Sequence, residues 1–487
     1  MLLSEILKGI EFNTDSDVTV DIDDIVYDSR KAEQGTIFVC LCGARFDGHE
    51  YAQKAYDAGC RCFLVERKVE IPDDAVQVLT SDTRAALALA SANFFRHPTK
   101  ELKVIGITGT KGKTSTAHLV KALLESSGMK CGIIGTVGAY YDDIEIPTVN
   151  TTPESYELQK IFRIMLDNGC KACVIEVSSI GLMTHRVDHV DFEVGVFTNL
   201  SPDHIGPNEH PDFEDYMYWK SVLFEISKRA VVNVDDPAYT EMLKNCTSPV
   251  TTYGLYKADV VAEDVKLLKN NKFIGISFVC KCDTDEFYTE VALPGLFNVY
   301  NALAAVSVLY SLGINASLHI EALKEIRVRG RAECVYVCDD FDVIIDYAHN
   351  GISMKSMIDT LKSYPHNRII ALYGAVGGRT QLRRKELGLI TGKECDLSIL
   401  TSDDPDFEDP QNIIDDIAEY ITQVNGKYIG IPDRGEAVEY ALSILEKGDI
   451  LLLAGKGHEQ YMKIKGEYVP FSEREHIENF KKRRGLD

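Results

Sequence analysis

Apolar runs of strand length alternate with helix-like segments along most of the chain. Residues 104–107 are such a run, and a glycine-rich turn follows at residues 109–112. Residues 113–127 then carry apolar side chains at helical spacing, among them Leu119 and Leu123. A strand, a glycine-rich turn and a helix in this order predict a phosphate-binding loop, in which backbone N–H groups and the helix N-terminus face an anion.

The polar residues of this turn indicate nucleotide phosphates as the ligand. Lys113 is placed to reach the outer phosphates, and the hydroxyl of Thr114 is placed to bind a magnesium ion. The spacing departs from the common G-x-x-x-x-G-K-[ST] motif, because Ile107 stands five positions before Gly112. An ordinary glycine-rich turn between a strand and a helix is the structural alternative.

The same alternation predicts an α/β protein of three domains: a small N-terminal domain (1–100), a central phosphate-loop domain with a parallel sheet (101–329) and a Rossmann-like C-terminal domain (330–487). The first has strand-like runs at 36–42, 61–65 and 75–79, and helix-like segments at 1–12, 51–59 and 83–95. The second adds strands at 131–137, 172–177, 194–198 and 230–234, a hairpin within 259–293 and a helix at 302–312. The third has strands at 342–346, 368–373, 397–400 and 449–453.

Charge and composition narrow the class of protein. The formal charge of −23 argues against binding to nucleic acid or to an anionic membrane surface. No segment approaches the roughly 18 apolar residues of a membrane helix. The thirteen cysteines are an odd number and several lie in apolar strands, which is typical of reduced thiols in a cytoplasm. The Cys170-x-x-Cys173 pair has no matching Cys or His pair nearby, so we expect buried thiols there and no zinc site.

Two predicted strands after the loop end in side chains that suit a metal site. An apolar run ends in Glu176 and Ser178, and the next strand leads to Asp203 and His204. Because the carboxyl ends of parallel strands share one edge of a sheet, a carboxylate here is suited to hold magnesium. The alternatives are a capping or paired Glu176 and a structural or solvated His204.

Several motifs together resemble the Mur ligases of peptidoglycan synthesis, over essentially the whole chain. The matching segments are 108–115 (TGTKGKTS), 176–179 (EVSS), 198–204 (TNLSPDH) and 346–349 (DYAH). Four further segments narrow the resemblance to the MurE type: 28–30 (DSR) with 35–39, 150–153 (NTTP), 185–186 (HR) and 455–459 (GKGHE). That type adds the third amino acid to UDP-N-acetylmuramoyl-L-alanyl-D-glutamate.

The resemblance implies a site for ATP and magnesium. The residues expected to bind ATP are Gly109, Thr110, Lys111, Gly112, Lys113, Thr114, Ser115, Asn298, Asn301, Arg331 and Asp346. The expected metal ligands are Thr114, Glu176, His204 and Lys220, the last as a carbamate formed with CO2. Lys220 lies in an apolar helical pattern and would otherwise be interpreted as a snorkelling lysine. Lys113, Lys220 and His204 are the residues expected to serve catalysis.

The resemblance also implies where the acceptor binds. The expected contacts to the UDP-linked dipeptide are Ser29, with residues 44–46 nearby, and Asn150, Thr151, Thr152, Ser178 and Arg186. ATP would convert the acceptor carboxylate to an acyl phosphate, which the amine of the incoming amino acid attacks. Closure of the C-terminal domain would exclude water from this intermediate. We expect a cytoplasmic monomer whose partners are the UDP-linked dipeptide and a free amino acid, without nucleic acid or membrane insertion.

The segment Asp403-Asp-Pro-Asp406 leads to a prediction about the amino acid. MurE-type enzymes that use meso-diaminopimelate carry Asp-Asn-Pro-Arg here, and the Arg binds the extra carboxylate of that substrate. In this chain Asp406 replaces the cation, so the sequence favours L-lysine, with L-ornithine second, bound by Asp403, Asp404, Asp406 and Glu459. The alternative is that Asp406 only caps the following helix, and that Arg379 or Arg383 binds meso-diaminopimelate.

Two other functions are compatible with the phosphate loop. A relative of folylpolyglutamate synthetase would share the central fold, but the N-terminal domain and the NTTP segment argue against it. A nucleotide-binding regulator or transport ATPase is a different class, and no apolar run ending in Asp-Glu lies near the loop. Phosphate release that needs both an acceptor and an amino acid would separate a ligase from that class.

Overall fold

A computed structural model describes residues 1–43, 46–206, 209–283, 285–338, 340–378 and 381–485. Residues 44 and 45 of the segment 44–46 mentioned above, and Arg379, lie outside the described residues. The chain divides into two compact units, Met1–Val260 with Ala304–Ala316, and Val261–Leu303 with Ser317–Asp487. In the described residues, no helix is both long and apolar enough to cross a membrane.

The first unit begins with a parallel sheet of order β1-β2-β3-β4. Its strands are β1 (Asp24–Val26), β2 (Thr36–Val39), β3 (Cys62–Val65) and β4 (Val76–Leu79). The helices are α1 (Leu3–Ile6), α2 (Ala52–Asp57) and α3 (Thr83–Phe94), with 3-10 turns at Ser29–Lys31, Gly48–Tyr51 and Pro98–Lys100. Asp82 caps α3 by accepting hydrogen bonds from the N–H groups of Arg84 and Ala85.

The rest of the first unit is built on a larger sheet, whose order within the unit is β12-β11-β10-β5-β9-β6-β7-β8. The strands are β5 (Lys103–Thr108), β6 (Cys131–Gly135), β7 (Gly138–Tyr141), β8 (Ile144–Ile146), β9 (Ala172–Glu176), β10 (Phe192–Phe197), β11 (Ala230–Asn233) and β12 (Val250–Gly254). The helices are α4 (Lys113–Ser126), α5 (Ser155–Asp167), α6 (Ser179–Met183), α7 (Phe213–Glu225) and α8 (Tyr239–Met242). All strands except β7 and β8 run parallel, so β5, β9 and β10 end at one edge.

The second unit contains a three-stranded segment and a C-terminal sheet. The segment has the order β15-β14-β13, with β13 (Val260–Lys269), β14 (Ile274–Cys282) and β15 (Asp285–Val291). Helix α9 (Phe297–Ser311) divides between the two units, and 3-10 turns follow at Ala316–Leu318 and Ile320–Lys324.

The C-terminal sheet has the order β16-β17-β21-β18-β19-β20, and only β16 is antiparallel to its neighbour. Its strands are β16 (Glu333–Val337), β17 (Phe341–Asp346), β18 (Ile369–Tyr373), β19 (Leu397–Leu400), β20 (Tyr428–Gly430) and β21 (Asp449–Ala454), followed by the hairpin β22 (Tyr461–Ile464) and β23 (Glu467–Pro470). The helices are α10 (Gly351–Lys362), α11 (Gln381–Glu394), α12 (Pro410–Gln423), α13 (Arg434–Ser443) and α14 (Glu473–Arg484). Parallel strands again bring β17, β18, β19 and β21 to one carboxyl edge.

The structure corrects four predicted elements. The N-terminal helix is only one turn, α1, because residues 8–12 leave the helical pattern after Leu7. The predicted strand at 131–137 ends at Gly135 and turns into the β7–β8 hairpin, which the sequence analysis missed. The predicted hairpin within 259–293 is three strands, because the alternating pattern is long enough for a second turn after Cys282. The helix predicted at 302–312 begins five residues earlier, at Phe297.

Candidate active site

The phosphate loop lies between β5 and α4, as the sequence predicted. Gly112 precedes the helix with a left-handed φ of 86°, and Gly109 has a φ of 146°. A Cβ at position 109 would lie 2.0 Å from Thr198 Oγ1, so the loop passes too close to the end of β10 for any side chain there. The loop therefore depends on glycine for both backbone conformation and space.

The side chain of Lys113 folds back over this loop. Its Nζ donates hydrogen bonds to the carbonyl oxygens of Gly109, at 2.8 Å, and Thr110, at 3.1 Å. These contacts hold the ammonium group beside the backbone that would surround a phosphate. The position is the one the sequence analysis assigned to a phosphate-neutralising lysine.

Glu176 ends β9 and lies beside the first turn of α4. Its carboxylate accepts a hydrogen bond from Thr114 Oγ1 at 3.1 Å and from the Thr136 N–H at 3.0 Å. Gly135 makes room for it, since a Cβ there would lie 2.2 Å from Glu176 Oε1. The oxygens of Thr114 and Glu176 are the hard donors that magnesium prefers, and they already converge. Among the described residues, the Glu176 carboxylate accepts from Thr114 and Thr136 and not from the N–H groups of a helix terminus, so the capping alternative was wrong.

Lys220 lies on α7 with its side chain 2% exposed, so it does not snorkel. Its Nζ donates to the carbonyl oxygen of Gly109 at 3.1 Å. Burial, followed by the nearby charge of Lys113, lowers the pKa of Lys220 well below its usual value. The phosphate loop therefore has beside it a lysine whose neutral form is favoured by burial.

Tyr216, one turn before Lys220 on α7, is a residue that the sequence analysis did not single out. Its hydroxyl lies 3.1 Å from Thr110 Oγ1, and Lys220 Nζ lies 4.6 Å from the centre of its ring. Burial raises the pKa of Tyr216 to about 12, so the hydroxyl keeps its proton. The spacing of four residues, which puts both side chains on one helix face, was the available signal.

His204 differs from its predicted placement beside Glu176. Its ring is about half exposed, and Nδ1 lies 2.9 Å from Glu209 Oε1. A left-handed backbone (φ 54°) at this residue turns the segment after β10 outward. The fully buried histidine is instead His210, whose ring nitrogens lie 2.7 Å from Asp215 Oδ2 and 2.8 Å from Ser179 Oγ.

A second cluster in the first unit gathers residues predicted to hold the acceptor. Thr152 Oγ1 donates to the Glu176 carbonyl at 2.9 Å and accepts from the Ser178 N–H at 3.0 Å. Arg186 donates to the Thr152 carbonyl at 3.0 Å and pairs with Glu154 at 2.9 Å. Its Nε is buried without a hydrogen-bond partner in the described part of the chain, which leaves one donor available.

The other predicted acceptor contacts are more scattered. Thr151 Oγ1 lies 3.2 Å from Thr136 Oγ1, close to the Glu176 carboxylate. Asn150 is exposed, and Ser29 is a buried residue of the first 3-10 turn. Phe46 is 67% exposed, which is unusual for phenylalanine and leaves its ring free for a ligand.

Three carboxylates meet at the carboxyl edge of the C-terminal sheet, where Asp403 and Asp404 follow β19 and Glu459 follows β21. Lys456, a residue the sequence analysis did not assign, lies among them. Its Nζ is 2.7 Å from Asp404 Oδ1, 2.7 Å from Glu459 Oε2 and 3.6 Å from Asp403 Oδ1. Burial by itself would lower the pKa of Lys456. The three carboxylates together have the larger effect, so the pKa of Lys456 is raised.

Asp406 does not join this group, contrary to the prediction. Its carboxylate lies 2.7 Å from Lys463 Nζ and accepts the Gly466 N–H at 2.7 Å, so it holds the β22–β23 hairpin. It does not cap the following helix either, since Asp409 is the N-cap of α12. The partner of Asp406 lies 57 residues further along the chain, which no local pattern could reveal.

The four remaining predicted nucleotide contacts lie in the second unit. Asp346 is buried and accepts hydrogen bonds from the Ala332 N–H at 2.7 Å and the Ala348 N–H at 2.8 Å. Burial raises its pKa, and Arg331 opposes that rise. The Asn301 amide donates to Asn298 Oδ1 at 2.7 Å, and both residues are buried in the first turns of α9.

A cavity of about 770 Å³ opens between the start of α9 and helices α10 and α11. Leu296, Phe297 and Ile352 line it with exposed apolar side chains, and Lys355 and Asp359 supply charge. Asn298 is not among the lining residues, although its neighbour Phe297 is. The cavity has the size and apolar walls of a site for a small ligand.

Taken together, a glycine-rich loop, the two lysines that donate to it and a carboxylate beside a helix N-terminus define an enzyme that handles nucleotide phosphates. Three family profiles match in order along the chain: "Mur ligase family, catalytic domain" at residues 21–96, "Mur ligase middle domain" at 107–309 and "Mur ligase, glutamate ligase domain" at 330–457. The chain belongs to the Mur ligase family and is an ATP-dependent amide ligase.

Full-length relatives support the same assignment. A UDP-N-acetylmuramoyl-L-alanyl-D-glutamate--2,6-diaminopimelate ligase of Caldanaerobacter subterraneus subsp. tengcongensis is 41% identical over 98% of each chain. The ligase of that name from Clostridium botulinum is 38% identical over 98% of this chain and 99% of the relative. A solved structure of a ligase with the same name has a TM-score of 0.72 and 27% identity, covering 100% of this chain and 99% of the other.

A more distant solved structure bears on the alternative function. Folylpolyglutamate synthase of Mycobacterium tuberculosis has a TM-score of 0.61 at 15% identity, covering 76% of this chain and 92% of the other. That similarity shows the shared fold alone. The three-domain α/β architecture predicted from the sequence is confirmed, and the relatives place the chain with the Mur ligases.

Proposed function

We propose that this enzyme adds meso-diaminopimelate to UDP-N-acetylmuramoyl-L-alanyl-D-glutamate, with ATP as the energy source. The observation that carries the proposal is the arrangement of the phosphate loop: Lys113 and Lys220 both donate to the Gly109 carbonyl oxygen, and Thr114 donates to Glu176. The names of the relatives supply the acceptor and the amino acid. They favour the diaminopimelate alternative over the lysine predicted from the segment 403–406.

The structure offers a physical reason to prefer diaminopimelate. The carboxylate of Asp406, which was expected to attract a side-chain ammonium, is already paired with Lys463. Arg384 is also engaged, with Glu408 and Asp416 each at 2.7 Å. Arg383 is half-buried in the first turn of α11, and within the described residues it has no ion pair.

Arg383 is therefore the cation we assign to the second carboxylate of diaminopimelate. Both Arg383 and Asp403 lie within electrostatic range of His349, whose pKa is lowered first by burial and further by Arg383. Gly377, four residues after β18, lies against the segment after β19, because its N–H donates to the Asp404 carbonyl oxygen at 2.8 Å. An arginine fork and a carboxylate group in one pocket suit the distal end of diaminopimelate, which carries an ammonium and a carboxylate.

We propose that Lys220 becomes carbamylated. Only a neutral amine attacks CO2, and the lowered pKa of Lys220 supplies that form. The nitrogen bonds to the carbon of CO2 and releases a proton to solvent, so a neutral buried amine becomes an anionic carbamate. With that change, Thr114, Glu176 and the carbamate provide oxygen ligands that fit magnesium, whereas an ammonium would repel it.

The reaction follows from the loop chemistry. When bound, magnesium would neutralise charge on the phosphates of ATP. Lys113 and the loop N–H groups would hold the outer phosphate against the acceptor carboxylate, whose oxygen attacks phosphorus and displaces ADP. The amine of the amino acid then attacks the acyl phosphate carbon, and phosphate leaves as the amide forms.

The remaining assignments are part of the same proposal. Thr152, Ser178 and Arg186 bind the dipeptide, and Ser29, Asn150 and Thr151 extend the acceptor site. Arg331 and Asp346, together with Asn298 and Asn301, serve the nucleotide. The domain boundaries at residues 100 and 329 stay predictions, as does cytoplasmic localisation.

Phosphate release tests the proposed function. We expect phosphate from ATP only when the UDP-linked dipeptide and an amino acid are both present. The dipeptide accepts the phosphoryl group from ATP, and the amine of the amino acid then displaces it as phosphate. Lys113→Ala should lower the rate by at least about 100-fold, since the charge that holds the outer phosphate is lost. Phosphate release that is independent of the acceptor would instead indicate an ATPase.

A further inference from the structure

We propose that Lys456 is the positioning residue of the amino-acid pocket: it holds the carboxylates of Asp404 and Glu459 together as an acceptor for an ammonium group of the incoming amino acid. This inference rests on the proposed function, because it assumes that an amino acid binds at the carboxyl edge of the C-terminal sheet. Lys456 lies in the segment 455–459, but the sequence suggested no role for it.

Lys456 occupies a central position among the three carboxylates of the pocket. Its Nζ donates to Asp404 Oδ1 and Glu459 Oε2, both at 2.7 Å. The side chain of Lys456 is 0% exposed, whereas those of Asp404 and Glu459 are 17% and 18% exposed. Lys456 therefore cannot touch a bound amino acid, but the two carboxylates it holds are open to one.

The two residues that flank Lys456 are glycines with positive φ angles. Gly455 has a φ of 105°, and a Cβ there would lie 2.9 Å from Asp403 Oδ2. Gly457 has a φ of 54°, and a Cβ there would lie 2.8 Å from the Tyr347 side chain. The two glycines let the end of β21 approach β19 and β17 closely, and this approach brings the ammonium of Lys456 among the three carboxylates.

The pocket carries more negative than positive charge, which favours the binding of another cation. When ionised, the carboxylates of Asp403, Asp404 and Glu459 together with one ammonium carry a net charge of −2. Asp404 Oδ1 already accepts two hydrogen bonds, from Lys456 Nζ and the Lys463 N–H. In the described part of the chain, Asp404 Oδ2 has no hydrogen-bond partner, so it remains available to an ammonium group.

The protonation of Glu459 responds to Lys456. Burial raises the pKa of Glu459, Lys456 opposes that rise, and Asp403 and Asp404 add to it. The other titratable groups facing this carboxyl are Tyr347, whose hydroxyl donates to Glu459 Oε1 at 3.4 Å, and Tyr461. Removing Lys456 would therefore raise the pKa of Glu459 further, and the carboxylate form would be lost at a higher pH.

The test is a kinetic comparison of Lys456→Met with the wild-type enzyme, using the better substrate of meso-diaminopimelate and L-lysine. We expect KM for the amino acid to rise by about 10- to 100-fold, because a charge-assisted ammonium site loses its organisation. KM for ATP and for the UDP-linked dipeptide should stay unchanged. The acidic limb of kcat/KM for the amino acid should move to higher pH.

Lys463→Met is the matched control, since it removes the same charge from the neighbouring strand β22. That lysine pairs with Asp406 and not with Glu459, so the amino-acid KM should stay within about threefold. Equal effects of the two variants, or an unchanged amino-acid KM and pH limb in Lys456→Met, would overturn the proposal.

Two further variants decide the matter if Lys456→Met does not fold. Glu459→Gln and Asp404→Asn should each raise the amino-acid KM while leaving KM for ATP unchanged, and an unchanged amino-acid KM in both would refute the proposal. Failure of the proposed function would look different: the wild type would then form no product with any diamino acid. A preference for lysine would correct the substrate but leave this test intact, since both substrates carry ammonium groups.

Discussion

At the residue scale, the phosphate loop shows what sequence can and cannot reveal. The roles expected of Lys113 and Thr114 follow from their place at a helix N-terminus, a local feature that the sequence contains. Asp406 could not be interpreted in this way, because Lys463 and Gly466 occupy its carboxylate from a distant hairpin. The type of an isolated charge is visible in a sequence, but its partner is a property of the fold.

Lys220 gives the sharpest prediction at this scale. With ¹³C-labelled bicarbonate, the wild-type enzyme should show a carbamate carbon signal that is missing from Lys220→Ala. The turnover of that variant should fall by about 100-fold or more, because the proposed carbamate ligand of magnesium is removed. Short carboxylic acids should restore part of the activity.

Lys228, an exposed lysine just beyond α7 whose Nζ lies 3.3 Å from Glu193, is the matched control. Lys228→Ala should keep both the carbamate signal and the activity. An unchanged signal in Lys220→Ala would show that the modified lysine is a different one.

At the element scale, the order of strands explains why the site forms where it does. Strands β5, β9 and β10 are parallel neighbours, so the loop, Glu176 and Thr198 all lie at one edge. This part was predictable from alternating apolar runs. The outward turn at His204 was not, because it depends on the left-handed backbone of that one residue.

The loop's dependence on glycine is testable at this scale. Gly109→Ala should destabilise the enzyme by roughly 2 kcal/mol or more and weaken ATP binding, because the new Cβ meets the Thr198 side chain. Gly169→Ala is the control: its φ is 83°, but a Cβ there meets nothing within 4 Å. It should cost only about 1 kcal/mol and leave ATP binding unchanged. Urea unfolding and nucleotide titration would measure both variants, and equal effects would contradict the steric argument.

At the scale of the whole molecule, the sequence predicted three α/β domains, because each domain repeats a simple strand–helix alternation. The class of enzyme followed from short motifs that resemble those of the Mur ligases. The choice of amino acid was not predictable from one segment. In our proposal it depends on charges that several elements contribute, namely the carboxylates after β19 and β21 and the guanidinium of Arg383 on α11. A single exchange of cation for anion at position 406 was too local a basis for the lysine prediction.

The measurement that tests the account most directly is a competition assay. The wild-type enzyme receives ATP, the UDP-linked dipeptide and equal amounts of meso-diaminopimelate, L-lysine and L-ornithine, and the products are resolved by mass. We predict mainly the diaminopimelate product, and an Arg383→Gln variant that loses this preference by at least about tenfold. A predominance of the lysine product in the wild type would contradict our account of the amino-acid pocket.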